Sequence, residues 1–362
     1  MSNLRIPGPT PLPNEVLQAM AKPMVNHRGP EFEQVLQSIT VNLKTLFQTK
    51  NDVFVLTGSG TGGMEAAVVN TVSSGDKVLL VNIGSFGDRF GQILKIFGVE
   101  VVPLNVEWGK AADPDAVRQA LKANPGVKAV FITFNETSTG VTNPLSEIAP
   151  VVKEMGKLLV VDAISGLGSL DLPVDKLNID VAIAGSQKGW MSAPGVAMVS
   201  VSEMGWKAIE QAKTPRFYWD FTRAKSYAER GQTPWTPAVS VFFGMEIGLK
   251  MLLKEGLPNI FARHARVGKA TRDGVKALGL SLLADERFAS NTVTAVVGTP
   301  GLDITRMLKL MREEHDIVLA TGQGKLAGKI FRIGHMGYVD DNDIKGVVSA
   351  LKVVLPKAGL NG

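Results

Sequence analysis

Four short polar segments of this chain each follow an apolar run directly. They are Gly58-Ser59-Gly60-Thr61-Gly62-Gly63, Glu136-Thr137-Ser138-Thr139-Gly140, Asp162 and Ser186-Gln187-Lys188. Short apolar runs that alternate with helical stretches are typical of strands in a parallel sheet, and such sheets bind ligands beyond the carboxyl ends of their strands. The spacing therefore predicts that the four segments meet at one edge of a sheet and form a site.

Each segment has a chemistry that its residue types favour. A glycine-rich turn into a helix presents backbone N–H groups to a phosphate. Lys188, if partly desolvated, can form a Schiff base with an aldehyde, and Asp162, if it faces a pyridine nitrogen, keeps that nitrogen protonated. The Thr137 hydroxyl can bond a phenolate oxygen, and Phe86 can stack on a flat ring. Pyridoxal 5′-phosphate is one ligand that accounts for all of these features.

Taken singly, the same residues have commoner explanations as a helix cap, a solvated lysine or a core aromatic. Gly58, Gly60 and Gly63 also fit the G-x-G-x-x-G spacing of a dinucleotide-binding turn, which would indicate an NAD-dependent dehydrogenase. That alternative expects an acidic residue at the end of the following strand, where the sequence has Asn82. It also leaves the lysine and the aspartate without a shared role.

The elements that must position these residues can be predicted from periodicity. Apolar runs predict the strands of a main sheet at 53–57, 77–82, 100–104, 129–135, 157–161, 179–185 and 196–201. Amphipathic stretches predict helices at 63–73, 88–97, 113–123 and 145–155. Their alternation indicates an α/β fold, with a mainly parallel sheet covered by helices on both faces.

The pattern changes after about residue 201. Residues 214–235 are polar and aromatic, and we predict that they are irregular. Beyond them, helices are predicted at 237–254, 258–278, 304–314 and 341–355, and strands at 291–297 and 329–333. We expect three parts: an N-terminal arm (1–20) that contributes to the site and to the small domain, a large cofactor-binding domain (21–255) and a smaller C-terminal α+β domain (256–362).

Composition excludes several classes of function. The chain has no Cys, so disulfides, thiolate metal sites and cysteine nucleophiles are excluded, and its four His show no i, i+4 pair, so no metal site is expected. A net charge of +5 from scattered residues does not indicate a nucleic-acid partner. No stretch reaches about 18 apolar residues and none resembles a signal peptide, so we predict a cytoplasmic protein without a membrane partner.

Over nearly its whole length the chain resembles the class V, fold-type I pyridoxal-phosphate-dependent aminotransferases of the alanine/serine–glyoxylate group. Besides the segments above, the motifs that carry the resemblance are Ile6-Pro7-Gly8-Pro9-Thr10, Asn26-His27-Arg28-Gly29-Pro30-Glu31-Phe32, Val160-Val161-Asp162, Gly185-Ser186-Gln187-Lys188, Thr233-Pro234-Trp235-Thr236-Pro237 and Phe331-Arg332-Ile333-Gly334. Their order and their spacing both fit the family.

The resemblance implies a role for each matching residue. Lys188 would carry the cofactor and Asp162 would pair with its ring nitrogen, which makes these two the catalytic residues. Arg332 would clamp the substrate carboxylate with a two-pronged ion pair, and Gly8 would also lie at the substrate. The other residues implied around the cofactor are Ser59, Gly60, Thr61, Phe86, Thr137 and Gln187. Gln232 and Thr233 would reach the phosphate of the neighbouring subunit, which implies a homodimer with shared active sites.

The implied activity is ping-pong transfer of an amino group from a small amino acid, alanine or serine, to a 2-oxo acid such as glyoxylate or pyruvate. Many relatives carry His at the position of Thr61 and Trp at that of Phe86, so the donor stays open. One Arg favours a monocarboxylic substrate without excluding aspartate or glutamate. A lyase-type reaction on the same cofactor and a non-enzymatic subunit stay open as alternatives, whereas desulfurase chemistry needs a cysteine.

Overall fold

The computed structural model describes residues 3–360. The predicted N-terminal arm and C-terminal domain therefore each include two residues, 1–2 and 361–362, that lie outside the described residues. The strands are β1 (Asn3–Leu4), β2 (Asp52–Thr57), β3 (Lys77–Asn82), β4 (Glu100–Asn105), β5 (Ala129–Thr133), β6 (Asn135–Glu136), β7 (Val141–Thr142), β8 (Leu158–Asp162), β9 (Val181–Gly185), β10 (Val196–Val201), β11 (Ser281–Leu282), β12 (Val293–Val297), β13 (Ile317–Val318), β14 (Ala320–Thr321) and β15 (Ile330–Gly334).

Helices follow most of these strands. They are α1 (Asn14–Met20), α2 (Pro30–Phe47), α3 (Gly60–Thr71), α4 (Ser85–Ile96), α5 (Pro114–Ala123), α6 (Leu145–Glu154), α7 (Glu203–Gln211), α8 (Phe221–Ala228), α9 (Val239–Glu255), α10 (Leu257–Ala277), α11 (Ile304–His315) and α12 (Asp341–Lys357). Short 3-10 helices span Glu286–Phe288 and Gly324–Leu326. Within residues 3–360, no helix combines the length and the apolarity that crossing a membrane requires.

The main sheet has seven strands in the order β2-β10-β9-β8-β5-β3-β4. Strands β9, β8, β5, β3 and β4 are parallel to one another, and β10 runs antiparallel between β2 and β9. Every residue of β5, β8, β9 and β10 is buried. This confirms the predicted mainly parallel sheet, and it explains why its strands are apolar throughout rather than alternating.

Two apolar cores cover the two faces of this sheet. Because side chains alternate along a strand, Leu159 and Val161 of β8 enter one core with α2, α6 and α9, whereas Leu158 and Val160 enter the other with α3, α4 and α8. Burial on both faces fixes the register of β8 and, with it, the position of the residue that ends the strand.

A second sheet forms in the C-terminal part, in the antiparallel order β11-β12-β15-β14. Helices α11 and α12 pack on it through a separate apolar core. The predicted elements of this part are present, with α10 and α12 within two residues of their expected bounds. The boundary predicted near residues 255–258 falls where α9 ends and α10 begins, and the division into domains itself stays a prediction.

One predicted segment was wrong. Residues 214–235 are not irregular throughout, because α8 forms inside them. Asp220 starts that helix, since its side chain accepts hydrogen bonds from the backbone N–H groups of Thr222 and Arg223, as an N-cap does. Periodicity missed this helix because it is only eight residues long. Helices α1, α2 and α7 were not predicted either.

Candidate active site

The four polar segments lie at one edge of the main sheet. The parallel neighbours β5, β8 and β9 end there, and β2 ends there too because β10 reverses direction between β2 and β9. The Thr137 hydroxyl donates to Ser165 Oγ at 3.2 Å, three residues after Asp162. A Cβ on Gly60 would lie 2.7 Å from Ile164 Cδ1, so the glycine turn also touches the end of β8.

Lys188 lies in the turn after β9 and is 8% exposed. The N-terminal segment passes directly over it: the ammonium donates to Pro7 O, and a Cβ on Gly8 would lie 2.7 Å from Lys188 Nζ. Gly8 also has φ +111°, which favours glycine. Burial, together with the nearby positive charge of Arg332, lowers the pKa of Lys188 to about 8.

Asp162 is the last residue of β8 and is 3% exposed. Its carboxylate accepts one hydrogen bond, from Ile164 N at 3.0 Å. Burial raises the pKa of Asp162 to about 7, and the nearby Glu136 adds to the rise. The positive charges of Lys188 and Arg89 act against this rise, but neither forms a salt bridge with Asp162 within residues 3–360. The carboxylate can therefore accept a cationic group of a ligand.

The glycine turn starts α3. Ser59 caps the helix by accepting from Gly62 N at 3.4 Å, and Gly60 and Thr61 are its first two residues. Backbone N–H groups at these two positions have no partner inside a helix, so they can donate to an anion. Nearby, Gln187 Oε1 is buried without a partner in the part of the chain that the structure describes. A side-chain amide can turn over so that its NH2 group takes the place of its oxygen. In that orientation Gln187 can donate to a phosphate.

Phe86 is fixed at the start of α4 by a residue to which the sequence analysis gave no role. The fully buried Glu136 accepts from Phe86 N at 3.0 Å and Gly87 N at 3.2 Å through one oxygen, and from Ser138 N and Oγ through the other. Burial raises the pKa of this carboxyl group. Glu136 therefore ties the helix that carries Phe86 to the turn that carries Thr137. A lone carboxylate after an apolar strand was the signal that could have found it.

Arg89 is a second residue that the sequence analysis missed. It lies three positions after Phe86 on α4, and its guanidinium carbon is 4.7 Å from the centroid of the Phe86 ring. Its Nη1 donates to Thr61 Oγ1 at 3.0 Å. The spacing of three on a helix was the available signal, since it puts two side chains on the same face.

Arg332 lies in the middle of β15 and is 5% exposed. Its Nε donates to Thr321 O at 3.0 Å, and its Nη1 donates to Thr137 O at 3.1 Å and to Gln323 Oε1 at 3.2 Å. Its Nη2 donates to no acceptor among residues 3–360, so both of its protons are available. Burial lowers the pKa of Arg332 to about 10. A two-pronged clamp that includes Nη1 requires the Gln323 bond to open.

Gln232 and Thr233 are not brought to the other site residues of their own chain by any hydrogen bond within residues 3–360. Instead, Arg28 Nη1 donates to Gln232 Oε1 at 3.0 Å and to Thr233 O at 2.6 Å. Thr233 Oγ1 donates to Trp235 O at 2.7 Å. Within the chain, both residues are thus held by Arg28, which precedes α2.

The dehydrogenase alternative is wrong. In a dinucleotide-binding fold the glycine-rich strand and the next strand are neighbours, whereas here β10, β9, β8 and β5 lie between β2 and β3. Asn82, at the end of β3, uses its amide on Asp88, Asn105 and Gly84 N. Gly58 is required for packing, because a Cβ there would lie 2.7 Å from the Trp219 ring.

Comparison with known proteins identifies the class. The family model described as aminotransferase class-V matches residues 3–345. The chain is 45% identical to the soluble hydrogenase 42 kDa subunit of Anabaena cylindrica (98% of this chain, 94% of the relative). It is 35% identical to the serine–glyoxylate aminotransferase of Methylorubrum extorquens (99% and 92%). The crystal structure of alanine–glyoxylate aminotransferase from Nostoc sp. superposes with a TM-score of 0.94 at 29% identity (98% and 95%).

The chain belongs to the class-V aminotransferase family. It is an enzyme that transfers amino groups to keto acids, as the sequence predicted.

Proposed function

We propose that this enzyme uses pyridoxal 5′-phosphate to move the amino group of alanine or serine to glyoxylate or pyruvate. The observation that carries the proposal is the buried pair formed by Lys188 and Asp162, each at the end of a neighbouring parallel strand. Two ionisable groups that burial shifts toward neutral pH, at one edge of a sheet, are typical of a catalytic site.

The residues present fit this cofactor. Gly60 N and Thr61 N at the start of α3, with the Thr61 hydroxyl and Gln187, would hold the phosphate. The Phe86 ring would cover one face of the pyridine ring, and Thr137 would reach its phenolic oxygen. Asp162 forms no salt bridge within residues 3–360, and a protonated ring nitrogen would supply a direct cationic partner.

Lys188 is suited to bind an aldehyde and then to move a proton. Pyridoxal phosphate, when bound, supplies an aldehyde for amino groups and a ring that withdraws electrons from the α-carbon of the substrate. With a pKa of about 8, roughly a quarter of the Lys188 amine is unprotonated at pH 7.5, against about a thousandth at the ordinary value of 10.5. After the substrate displaces it, Nζ can accept the α-proton and return it.

Arg332 would hold the substrate through its carboxylate. Its Nη2 has two free protons, and its other donors fix the guanidinium to Thr137 O and Thr321 O. A guanidinium held in this way is oriented before the substrate arrives. One oriented cation favours a substrate with one carboxylate, which supports alanine or serine as the donor.

The complete site would be formed by a homodimer, with Gln232 and Thr233 reaching the phosphate of the partner subunit. In support, Phe217 is 66% exposed and stacks on Trp235, two residues from Thr233. Exposed aromatic clusters are enriched at subunit interfaces. We also propose that the N-terminal arm (1–20) contributes to the site, because Pro7 and Gly8 contact Lys188. The cytoplasmic location stays a prediction.

The name of the Anabaena relative concerns a hydrogenase, and nothing in this site favours that function. The chain has no cysteine, so it offers no thiolate to a transition metal or an iron–sulfur cluster. The lyase alternative uses the same residues, and the contacts of the site do not favour it over transfer.

The test is cofactor loading combined with a substrate matrix. Purified wild-type protein is expected to absorb visible light after incubation with pyridoxal phosphate, and to transfer amino groups from alanine or serine to glyoxylate or pyruvate. Lys188→Ala is expected to lose both properties. Lys207→Ala is the control, because Lys207 is exposed and pairs with Glu203 on α7. A wild-type protein that does not load, or a Lys188→Ala protein with normal turnover, would overturn the proposal. Aspartate and 2-oxoglutarate complete the matrix.

A further inference from the structure

Arg89 connects two residues of the proposed cofactor site, Thr61 and Phe86, that lie 25 positions apart in the chain. Its Nη1 donates to Thr61 Oγ1 in the first turn of α3, and its guanidinium lies over the Phe86 ring on α4. The helices themselves are in contact. One side chain therefore touches both the proposed phosphate ligand and the proposed stacking ring.

The direction of the hydrogen bond from Arg89 to Thr61 determines whether the Thr61 hydroxyl can donate to a ligand. A threonine hydroxyl has one proton and two lone pairs, and an arginine side chain has donors but no acceptor. Because Thr61 Oγ1 accepts from Arg89, its proton remains free to be donated elsewhere. The backbone N–H groups of Gly60 and Thr61 at the same helix start are also without intrahelical partners. Arg89 thus favours the hydroxyl orientation in which Thr61 donates to an anion.

The second contact constrains the Phe86 ring. A guanidinium within 6 Å of a ring centroid attracts the ring electrostatically, and here the distance is 4.7 Å. Glu136 already fixes the backbone at Phe86. With one face of the ring against Arg89, the other face is left for a flat ligand. The positive charge of Arg89 also favours a phosphate nearby, and it acts in the same direction as burial on the pKa of Lys188.

From these contacts we infer that Arg89 is a positioning residue, which acts through Thr61 and Phe86 to hold the phosphate and the ring of the cofactor. The inference deepens the proposed function and rests on it. It assigns a role to a residue that does not belong to the predicted site and that need not touch the reacting atoms.

The test is a double-mutant cycle on the apoprotein. Arg89→Met removes the charge and the donors at similar length, and Thr61→Val removes the hydroxyl at the same shape. The dissociation constant of pyridoxal phosphate is measured for wild type, both single variants and the double variant, and that of inorganic phosphate is measured by competition. We expect Arg89→Met to weaken both ligands roughly tenfold to a hundredfold, as removal of a charged hydrogen-bond donor does.

The coupling within the cycle separates positioning from a general structural effect. If Arg89 acts through Thr61, the double variant is expected to bind pyridoxal phosphate no more than about threefold worse than whichever single variant has the lower affinity. Arg89→Lys, which keeps the charge and a donor, is expected to recover at least part of the lost affinity. Arg118→Met is the matched control, because Arg118 pairs with Glu154 on the surface and its loss is expected to leave both constants unchanged. Thermal unfolding of each variant shows whether it is folded.

The measured dissociation constants either support or overturn the role of Arg89. Wild-type affinity in a folded Arg89→Met protein, or losses that simply multiply in the double variant, would overturn the inference and leave the proposed function standing. Absence of pyridoxal phosphate binding by the wild type would overturn both. If Arg89→Met does not fold, Thr61→Val still decides, because an unchanged dissociation constant of inorganic phosphate in that variant contradicts a role for the contact between Arg89 and Thr61.

Discussion

Replacing Arg332 with glutamine tests the proposed substrate contact, and the structure sets the expected size of the effect. Of the five N–H groups of this guanidinium, three are used by Thr321 O, Thr137 O and Gln323 Oε1, and the two on Nη2 donate to no acceptor within residues 3–360. A hydrogen bond to a charged group contributes about 1.5–3 kcal/mol. Losing one such net contact corresponds to roughly a 10- to 150-fold loss in kcat/KM at about 1.4 kcal/mol per decade.

The loss is expected mainly in KM. The substrate carboxylate is bonded to the α-carbon but keeps its charge throughout the reaction, so Arg332 binds it in the ground state and in the transition state alike. Removal of such uniform binding raises KM while kcat changes little. Thr137 O and Thr321 O also lose a donor, at about 1–3 kcal/mol for a buried group, so the variant must be checked for folding by thermal unfolding. Gln323→Ala is the matched variant with the opposite sign, because it frees Nη1 of Arg332 and is expected to keep or lower KM.

The assay is steady-state transfer to glyoxylate with alanine as the varied donor, repeated with alaninamide, which lacks the carboxylate. The effect of Arg332→Gln is expected with alanine and absent with alaninamide. A KM for alanine that rises less than about threefold in a folded variant would refute the reasoning, since one charged contact is worth at least tenfold. An equal loss with alaninamide would show that Arg332 acts through the structure of the site instead.

Three further predictions follow from the contacts of the site. Only the unprotonated amine of Lys188 attacks an aldehyde, so a pKa lowered to about 8 shifts the pH at which the cofactor-loading rate rises. Stopped-flow absorbance should show the midpoint of this rise near pH 8. A midpoint near pH 10.5 would contradict the burial of this amine. Gly8→Ala should slow loading at least tenfold, because the new Cβ meets Lys188 Nζ at 2.7 Å, whereas Gly75→Ala, also at positive φ but with nothing within 4 Å, should load normally. Asp162→Asn keeps an acceptor for Ile164 N but loses the charge, so kcat should fall by about a hundredfold or more while loading persists; near-normal kcat would count against its proposed role.

Local patterns were sufficient to predict the sheet and the segments at its edge. Each inner strand of the main sheet is a short apolar run because both of its faces are covered, so the composition of the run records its environment. Parallel strands end on the same side, which is why the positions of Asp162 and Lys188 after two such runs predicted their proximity. The family motifs added roles for Thr61, Phe86 and Arg332, and these roles remain proposals.

Contacts between distant segments could not be read from those patterns. The carboxylate of Glu136 meets Phe86 N, which is 50 residues away in the chain, and Arg332 meets Thr137 O across 195 residues. Nothing local to either partner records the other, because only the tertiary fold brings the two segments together. The same holds for the link between Arg89 and Thr61, and for the bond of Gln323 that occupies Nη1 of Arg332.

The sequence by itself thus determined which residues end the buried strands, since burial on both faces and the direction of parallel strands are encoded locally. The tertiary structure decided how those residues are charged and held. A shift of the Lys188 pKa to about 8, or of the Asp162 pKa to about 7, depends on the removal of water by surrounding elements. The elements that surround Lys188 and Asp162 come from distant parts of the chain, including the N-terminal segment that lies over Lys188. They come together only in the folded protein.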